Sequence, residues 1–214
     1  MKATAIRSYF YSCLRAGTSG TGSRSLVCWK CSSPISERPG VFCPSCKVIQ
    51  PLRANQNFFD YFGLNKDFIV DQEGLKNKFR TLQSVVHPDK FGLHTDDEKK
   101  YADIHSSFAN QAYKTLSNPK TRAVYMLELS NTDEGITDPE FAMEMLEMNE
   151  EIEQTDDHKV LGEKLVMTQG KVDEFMDQIA KNFEQGKNEE ARDALNRMRY
   201  FERTVKLIKK KLGH

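Results

Sequence analysis

Acidic side chains are missing from the first 36 residues: Glu37 is the first, and Lys2, Arg7, Arg15, Arg24 and Lys30 all precede it. Long apolar runs are missing too. No stretch approaches the roughly eighteen consecutive apolar residues that a membrane-spanning helix needs. Net charge is also absent, with 31 Lys and Arg against 31 Asp and Glu, so global charge steers the chain neither to nucleic acid nor to a membrane surface. Hydrophobic content is only 38% against 29% charged, which argues against one large core and for small helical domains with wet exteriors. A length of 214 residues allows one to three of them.

The acid-free N-terminus is also rich in Ser, Thr and Gly. It carries Ile6, Tyr9, Phe10 and Leu14 at roughly helical spacing. A basic, weakly amphipathic segment of this kind is the composition of a mitochondrial targeting presequence, expected over residues 1–26. A secretory signal needs a longer apolar core than Ala5–Leu14 provides.

Cysteine is scarce, yet four of the five fall within residues 28–46. Cys28-Trp-Lys-Cys31 and Cys43-Pro-Ser-Cys46 are two CxxC pairs separated by 11 residues. Each pair lets two thiolates converge from one tight turn, and two turns complete a tetrahedral site. So short a segment (residues 27–50) buries little core, and a metal would supply its folding energy. Zinc is the default for a closed four-thiolate site. Iron or a small cluster, paired disulfides and free thiols are the competing readings. Cys13 stands apart and belongs with the presequence.

From Asn57 the chain turns helical. Asn57–Leu64 is a short aromatic segment ending near Gly63. In Glu73–Val86, Leu75, Phe79, Leu82 and Val86 repeat as one apolar stripe, leaving Lys76, Arg80 and Gln83 for an exposed basic face. A further helix is predicted from about Asp96 to Leu116, capped by Thr95 or Asp96 and closed by Asn118-Pro119. Between them lies His87-Pro-Asp-Lys-Phe-Gly92. Pro88 ends the first helix, so the two helices run antiparallel and display His87 and Asp89 near the tip. No nucleophile accompanies this pair, and the spacings to His94 and His105 match no compact metal site. The residues themselves describe a docking surface for an acidic partner.

This hairpin resembles the J-domain family, modules that activate 70-kDa heat-shock ATPase chaperones. Phe58–Leu64, Leu82–Asp89 and Asn110–Leu116 match its first helix, loop and third helix, and the resemblance spans residues 57–129. It implies that Asp89 engages the chaperone, that His87 and Pro88 hold the loop, and that Lys76 and Arg80 meet an acidic surface. It also implies no catalysis by the chain itself, only stimulation of the partner's ATPase.

Beyond a polar linker, Asp138-Pro139 is an N-cap followed by proline at the first helical position. Phe141, Met145, Met148 and Ile152 form the seam of that helix. Met143, Leu146, Glu147 and Glu150 project about 140–240° away at 100° per residue. The segment from Asp138 to Gln154 carries seven acidic residues and no basic one, and two apolar side chains ringed by carboxylates read as a binding surface. Helices over roughly 157–184, ended by Gly186, and 188–212 complete an antiparallel three-helix bundle over 138–213. Tyr200 lies off the last helix's seam, beside Arg199.

Tetracysteine knuckles, a J-domain and a helical bundle in this order resemble the mitochondrial iron–sulfur cluster co-chaperones of the HscB family. The resemblance implies an all-α chain whose bundle binds the cluster scaffold protein through Ala142, Met143, Leu146, Glu147, Glu150 and Tyr200. It implies delivery of that scaffold to a mitochondrial 70-kDa chaperone, with cluster transfer to recipient proteins. Ala142 is smaller than the leucine expected there, and Tyr200 replaces phenylalanine. Two rival readings are a zinc-ribbon nucleic-acid binder and a J-protein for general unfolded clients. The first lacks a dense basic patch among Lys30, Arg38, Lys47 and Arg53; the second sits poorly with so small an exposed face.

Overall fold

A computed structural model describes residues 27–35, 40–132 and 138–213. The expected presequence, residues 1–26 with Cys13, lies outside the described residues. By internal contacts the chain divides into two units, Met1–Gly63 with Lys76–Ala112, and Leu64–Leu75 with Tyr113–His214. The architecture is all-α with a small cysteine-rich N-terminal part, and no described helix is long and apolar enough to cross a membrane.

The first unit begins with two copies of one turn. In each, the first cysteine's amide donates to a carbonyl five residues on, Cys28 to Ser33 and Cys43 to Val48, both at 2.9 Å. The fifth residue of each turn, Ser32 and Lys47, takes positive φ and returns its amide to the first cysteine's carbonyl at 3.0 Å. Helix α1 (Phe58–Phe62) follows. Asn57 caps it by accepting the Asp60 amide at 2.8 Å, and Gly63, at φ 59°, ends it. Lys78 closes the free carbonyls at that end, donating to Phe62 at 2.9 Å and Gly63 at 3.1 Å, the usual role of a cation at a helix C-terminus. Phe59 is wholly buried, a burial that contributes about 3 kcal/mol.

Helix α2 (Gln72–Val86) and α3 (Asp96–Ser117) flank a 3-10 turn, Pro88–Phe91. Gln83 departs from expectation. Instead of lining the basic face, it is half-buried and donates to Ser106 Oγ at 2.9 Å and Asn110 Oδ1 at 3.4 Å on α3. It lies only about 40° around the helix from Phe79, so it belongs to the inner edge of the stripe. The cap of α3 is Thr95, and it forms a full capping box. Glu98 N–H donates to Thr95 Oγ1 at 3.4 Å, while Glu98 Oε2 accepts the Thr95 amide at 3.2 Å and its hydroxyl at 2.9 Å, satisfying amides that would otherwise be orphaned.

The second unit contains α4 (Pro119–Leu129), α5 (Pro139–Gln154), α6 (His158–Glu184) and α7 (Asn188–Leu212). The last three form the expected bundle. Phe141, Met145 and Phe201 make one cluster with Phe175; Ile152, Leu161 and Ile208 make the next. The Schellman motif between α6 and α7 is complete: Lys187 N–H donates to Asn182 O at 2.9 Å and Gly186 N–H to Phe183 O at 3.1 Å. It requires φ 70° at Gly186, which a Cβ would penalise. A further cluster joins α4 and the segment before α2 to the bundle. Phe68, Ala123 and Leu127 pack with Ile179, Ala191, Ala194, Leu195 and Met198. Phe183 stacks on Phe68 at 5.3 Å, and the Arg122 guanidinium lies 5.1 Å from the centre of that same Phe68 ring.

Candidate functional site

The structure assembles all four cysteines of the paired motif. Their sulfurs lie within 4.8 Å of one another, with Cys28–Cys46 at 3.7 Å and Cys31–Cys43 at 3.8 Å, and none is in a disulfide. Zinc–thiolate bonds of about 2.3 Å in a tetrahedron separate neighbouring sulfurs by roughly 3.8 Å, so the site has the dimensions of a metal-holding cage. Cys28 and Cys43 are buried, while Cys31 and Cys46 face outward. The Lys30 amide at 3.4 Å and the Gln50 side-chain amide at 3.3 Å donate to Cys28 Sγ. Burial works to raise the Cys28 thiol, but amide bonds at Cys31 and Lys30 and the Gln50 side chain outweigh it and bring it to about 6. At Cys46 the Val48 amide favours the thiolate, yet burial and the three neighbouring sulfurs prevail and push the thiol up to about 12. Four sulfurs this close ionise together only around a cation.

The knuckles are bound to α3 along one face. Trp29 Nε1–H donates to the Ile49 carbonyl at 2.7 Å, and its ring meets Tyr101 edge-on at 5.7 Å. Lys30 Nζ lies 3.9 Å from Glu98. His105 bonds the Gln50 carbonyl at 2.9 Å. Glu98, Tyr101, Ala102 and His105 are spaced as one helical face. Neither His94 nor His105 joins a metal site: His94 pairs with Glu98 at 3.3 Å, and His105 is buried beside Tyr61.

The His-Pro-Asp turn is displayed as its sequence predicts. His87 is the N-cap, and its Nδ1 accepts the Asp89 amide at 3.3 Å. The Asp89 side chain is 88% exposed and its carboxylate lies 3.5 Å from the His87 ring. Pro88 is half-buried at the first position of the turn. Lys76 and Arg80 are exposed one turn apart on α2. Reading the sequence missed Phe91, the turn's buried anchor; its only signal is a lone aromatic beside Gly92.

On the bundle, Met143 and Leu146 are exposed at 59% and 53%, beside exposed Glu147 and Glu150 and half-buried Ala142. Tyr200 is half-buried, its ring at 5.6 Å from Phe141 in an edge-to-face contact, and the Arg203 guanidinium sits 5.4 Å over the Tyr200 ring. Asn149 accepts the Thr204 hydroxyl at 2.8 Å, so α5 and α7 meet along the flank next to Ala142 and Leu146. The basic end of α7 serves α5 in one specific way. Lys211 Nζ donates to the carbonyls of Ile152, Glu153 and Thr155 at 3.1, 2.7 and 2.7 Å, capping a helix end. Glu144, Glu147 and Glu150 make no ion pair among the described residues, which leaves their charge facing outward. Arg203 was not anticipated, although its position three residues after Tyr200 is the available signal.

A helical hairpin with an exposed His-Pro-Asp turn, joined to a three-helix bundle, defines a J-domain protein of the two-module kind. The family model described as the DnaJ domain matches residues 57–125, and the one described as the HSCB C-terminal oligomerisation domain matches residues 137–209. The iron-sulfur cluster co-chaperone protein HscB of Mus musculus is 34% identical over 202 residues, covering 90% of this chain and 86% of that protein. The Arabidopsis thaliana homolog is 33% identical over 189 residues, covering 86% of this chain and 74% of that protein. The crystal structure of human co-chaperone protein HscB matches with a TM-score of 0.79 at 32% identity, covering 87% of this chain and 98% of that one. The chain belongs to the HscB family of iron–sulfur cluster co-chaperones.

Proposed function

We propose that this chain is an adaptor that carries an iron–sulfur cluster scaffold protein to a 70-kDa heat-shock chaperone in the mitochondrial matrix and stimulates that chaperone's ATPase. The chaperone is met by His87, Pro88 and Asp89, with Lys76 and Arg80 facing its acidic surface. The scaffold is held by Ala142, Met143, Leu146, Glu147, Glu150 and Tyr200. Hydrolysis then traps the scaffold on the chaperone and promotes cluster release to recipient proteins. The four cysteines hold structural zinc, with no coordination position left open for substrate. Residues 1–26 direct import.

The observation that carries this reading is the exposed Asp89 carboxylate, held in place by its amide's bond to the His87 ring. An exposed carboxylate on a short turn, with exposed Lys76 and Arg80 on the preceding helix, suits recognition by a charged protein surface. Joining two binding sites in one chain also raises the scaffold's effective concentration at the chaperone. The test is ATPase stimulation of a mitochondrial 70-kDa chaperone by the wild type and by His87→Gln, with scaffold binding measured in parallel. Stimulation lost at least tenfold with scaffold affinity retained is the expected result; unchanged stimulation in His87→Gln would overturn it.

A further inference from the structure

Both knuckles reach the His-Pro-Asp turn, and they do so by separate routes. The second route is apolar. Phe91, the last residue of the turn, is 5% exposed and forms one buried cluster with Ile49 and Ala102, lined by Val41, Phe42 and Tyr101. Ile49 and Phe42 flank the second cysteine pair as an isolated antiparallel bridge, so the seat for Phe91 is built by the backbone that closes around Cys43 and Cys46. The first route is polar. Lys30, between Cys28 and Cys31, lies 3.9 Å from Glu98, which also bonds His94 at 3.3 Å. The His94 ring in turn packs against Phe91 at 5.0 Å. Trp29 ties the two routes together through its 2.7 Å bond to the Ile49 carbonyl.

Among the described residues, the bonds within the turn itself are few. Its own bonds are the Lys90 amide to the His87 carbonyl at 3.0 Å, the His94 amide to Phe91 at 2.9 Å and the Asp89 amide to the His87 ring. The 3-10 geometry is a weak one that persists only with outside support. A short metal-free cysteine segment has too small a core to stay folded, and losing it would uncover Phe91 on one side.

We propose that the tetracysteine unit positions the His-Pro-Asp turn, so that metal loading of the four cysteines sets how well His87 and Asp89 are presented. Ile49 and Phe91 are the positioning residues; neither is exposed enough to touch a partner. The inference rests on His87–Asp89 being the chaperone contact, and it adds a role for a metal distant from any chemistry. A zinc-depleted chain would keep its scaffold surface while losing its grip on the chaperone.

The test uses the full chain, zinc-loaded and after chelation, with bound zinc counted by a chromophoric assay. Hydrogen exchange at the Lys90 and His94 amides reports the turn directly; amides of α6 and α7 report the bundle. Metal removal is expected to speed exchange at Lys90 and His94 at least tenfold and to leave α6 and α7 unchanged. Ile49→Ala with its zinc retained is expected to do the same, with the chaperone ATPase reaching half-maximal stimulation only at several-fold higher co-chaperone concentration. If chelation melts the whole chain, the zinc-retaining variant decides. Exchange at Lys90 and His94 unmoved in both, or moved without any change in half-maximal concentration, overturns the inference. A His87→Gln variant that still stimulates would instead sink the reading of the turn as a chaperone contact, and the exchange result would stand apart from it.

Discussion

His105 donates its Nε2–H to the backbone carbonyl of Gln50 across 2.9 Å, while the Gln50 side chain donates to Cys28 Sγ. A carbonyl only accepts, so the ring carries its proton on Nε2 and Nδ1 faces the Tyr61 hydroxyl at 2.8 Å. Burial lowers the His105 pKa against a smaller opposing pull from the Gln50 carbonyl. The folded state therefore resists a proton that the unfolded chain accepts below about pH 6.5. Stability is full above that value and declines as pH falls toward the folded-state pKa. Urea midpoints measured from pH 8 to pH 5 should drop below about pH 6.5, and His105→Gln should flatten that part of the curve. An equally steep profile in the variant would assign the effect elsewhere.

Gln50 braces the four-cysteine cage from outside, through its side-chain amide on Cys28 Sγ. Replacing such a partner typically weakens metal affinity by about 10–100-fold. Gln50→Leu is expected to fall at the lower end, roughly tenfold, because the Lys30 amide still reaches Cys28. Competition with a chromophoric chelator measures it; an unchanged affinity would mean that the Gln50 amide is a bystander.

Thr95→Ala removes the hydroxyl from both sides of the capping box. The expected cost is about 1 kcal/mol, read as a lower denaturant midpoint with the same slope. Glu98 adds a pH signature. Burial would raise its carboxyl, but the Thr95 bonds, the His94 bond and the Lys30 charge overcome it and hold it low. That contribution is present above the ordinary carboxylate range and is lost as pH falls through the folded value, a more acidic window than that of His105.

Met143 and Leu146 project into solvent, so truncating them leaves the bundle intact. The pair Met143→Ala, Leu146→Ala should keep the thermal midpoint of the wild type. Scaffold affinity should fall at least tenfold, about 1.4 kcal/mol, in a calorimetric titration. Wild-type affinity in this variant would remove α5 from the scaffold surface.

The helices were legible because their signals are local. Asp138-Pro139, Asn118-Pro119 and Gly186 mark ends by caps and breakers, and three-four spacing marks the faces between them. The paired CxxC motif foretold the sulfur cage for the same reason, since each half is one turn. Thr95-Asp-Asp-Glu98 carries the capping-box spacing in the sequence itself, with Glu98 three residues after the capping threonine. The docking of the knuckles on α3 was not legible. Gln50 and His105 are 55 residues apart, and nothing about a lone glutamine or histidine announces that they meet. Gln83 went astray through a wheel position that sits at the border between core and surface. Helix α4 carries only Ala123 and Leu127 as fully buried apolar side chains, too faint a stripe to show that it packs with the bundle.

Phe68 sits among Ala123, Leu127, Ile179 and Leu195, although it comes from the loop that precedes α2. Neither contact unit is therefore one continuous piece of chain. The first needs residues as late as Ala112, and the second needs the C-terminal bundle before Ile179 and Leu195 can cover Phe68. A chain that emerges or is threaded N-terminus first holds that phenylalanine against Ala123 and Leu127 at most until the last two helices have arrived. Completion of the second unit is thus a late event, and a truncation near Leu129 is expected to leave Phe68 without its partners from the last two helices.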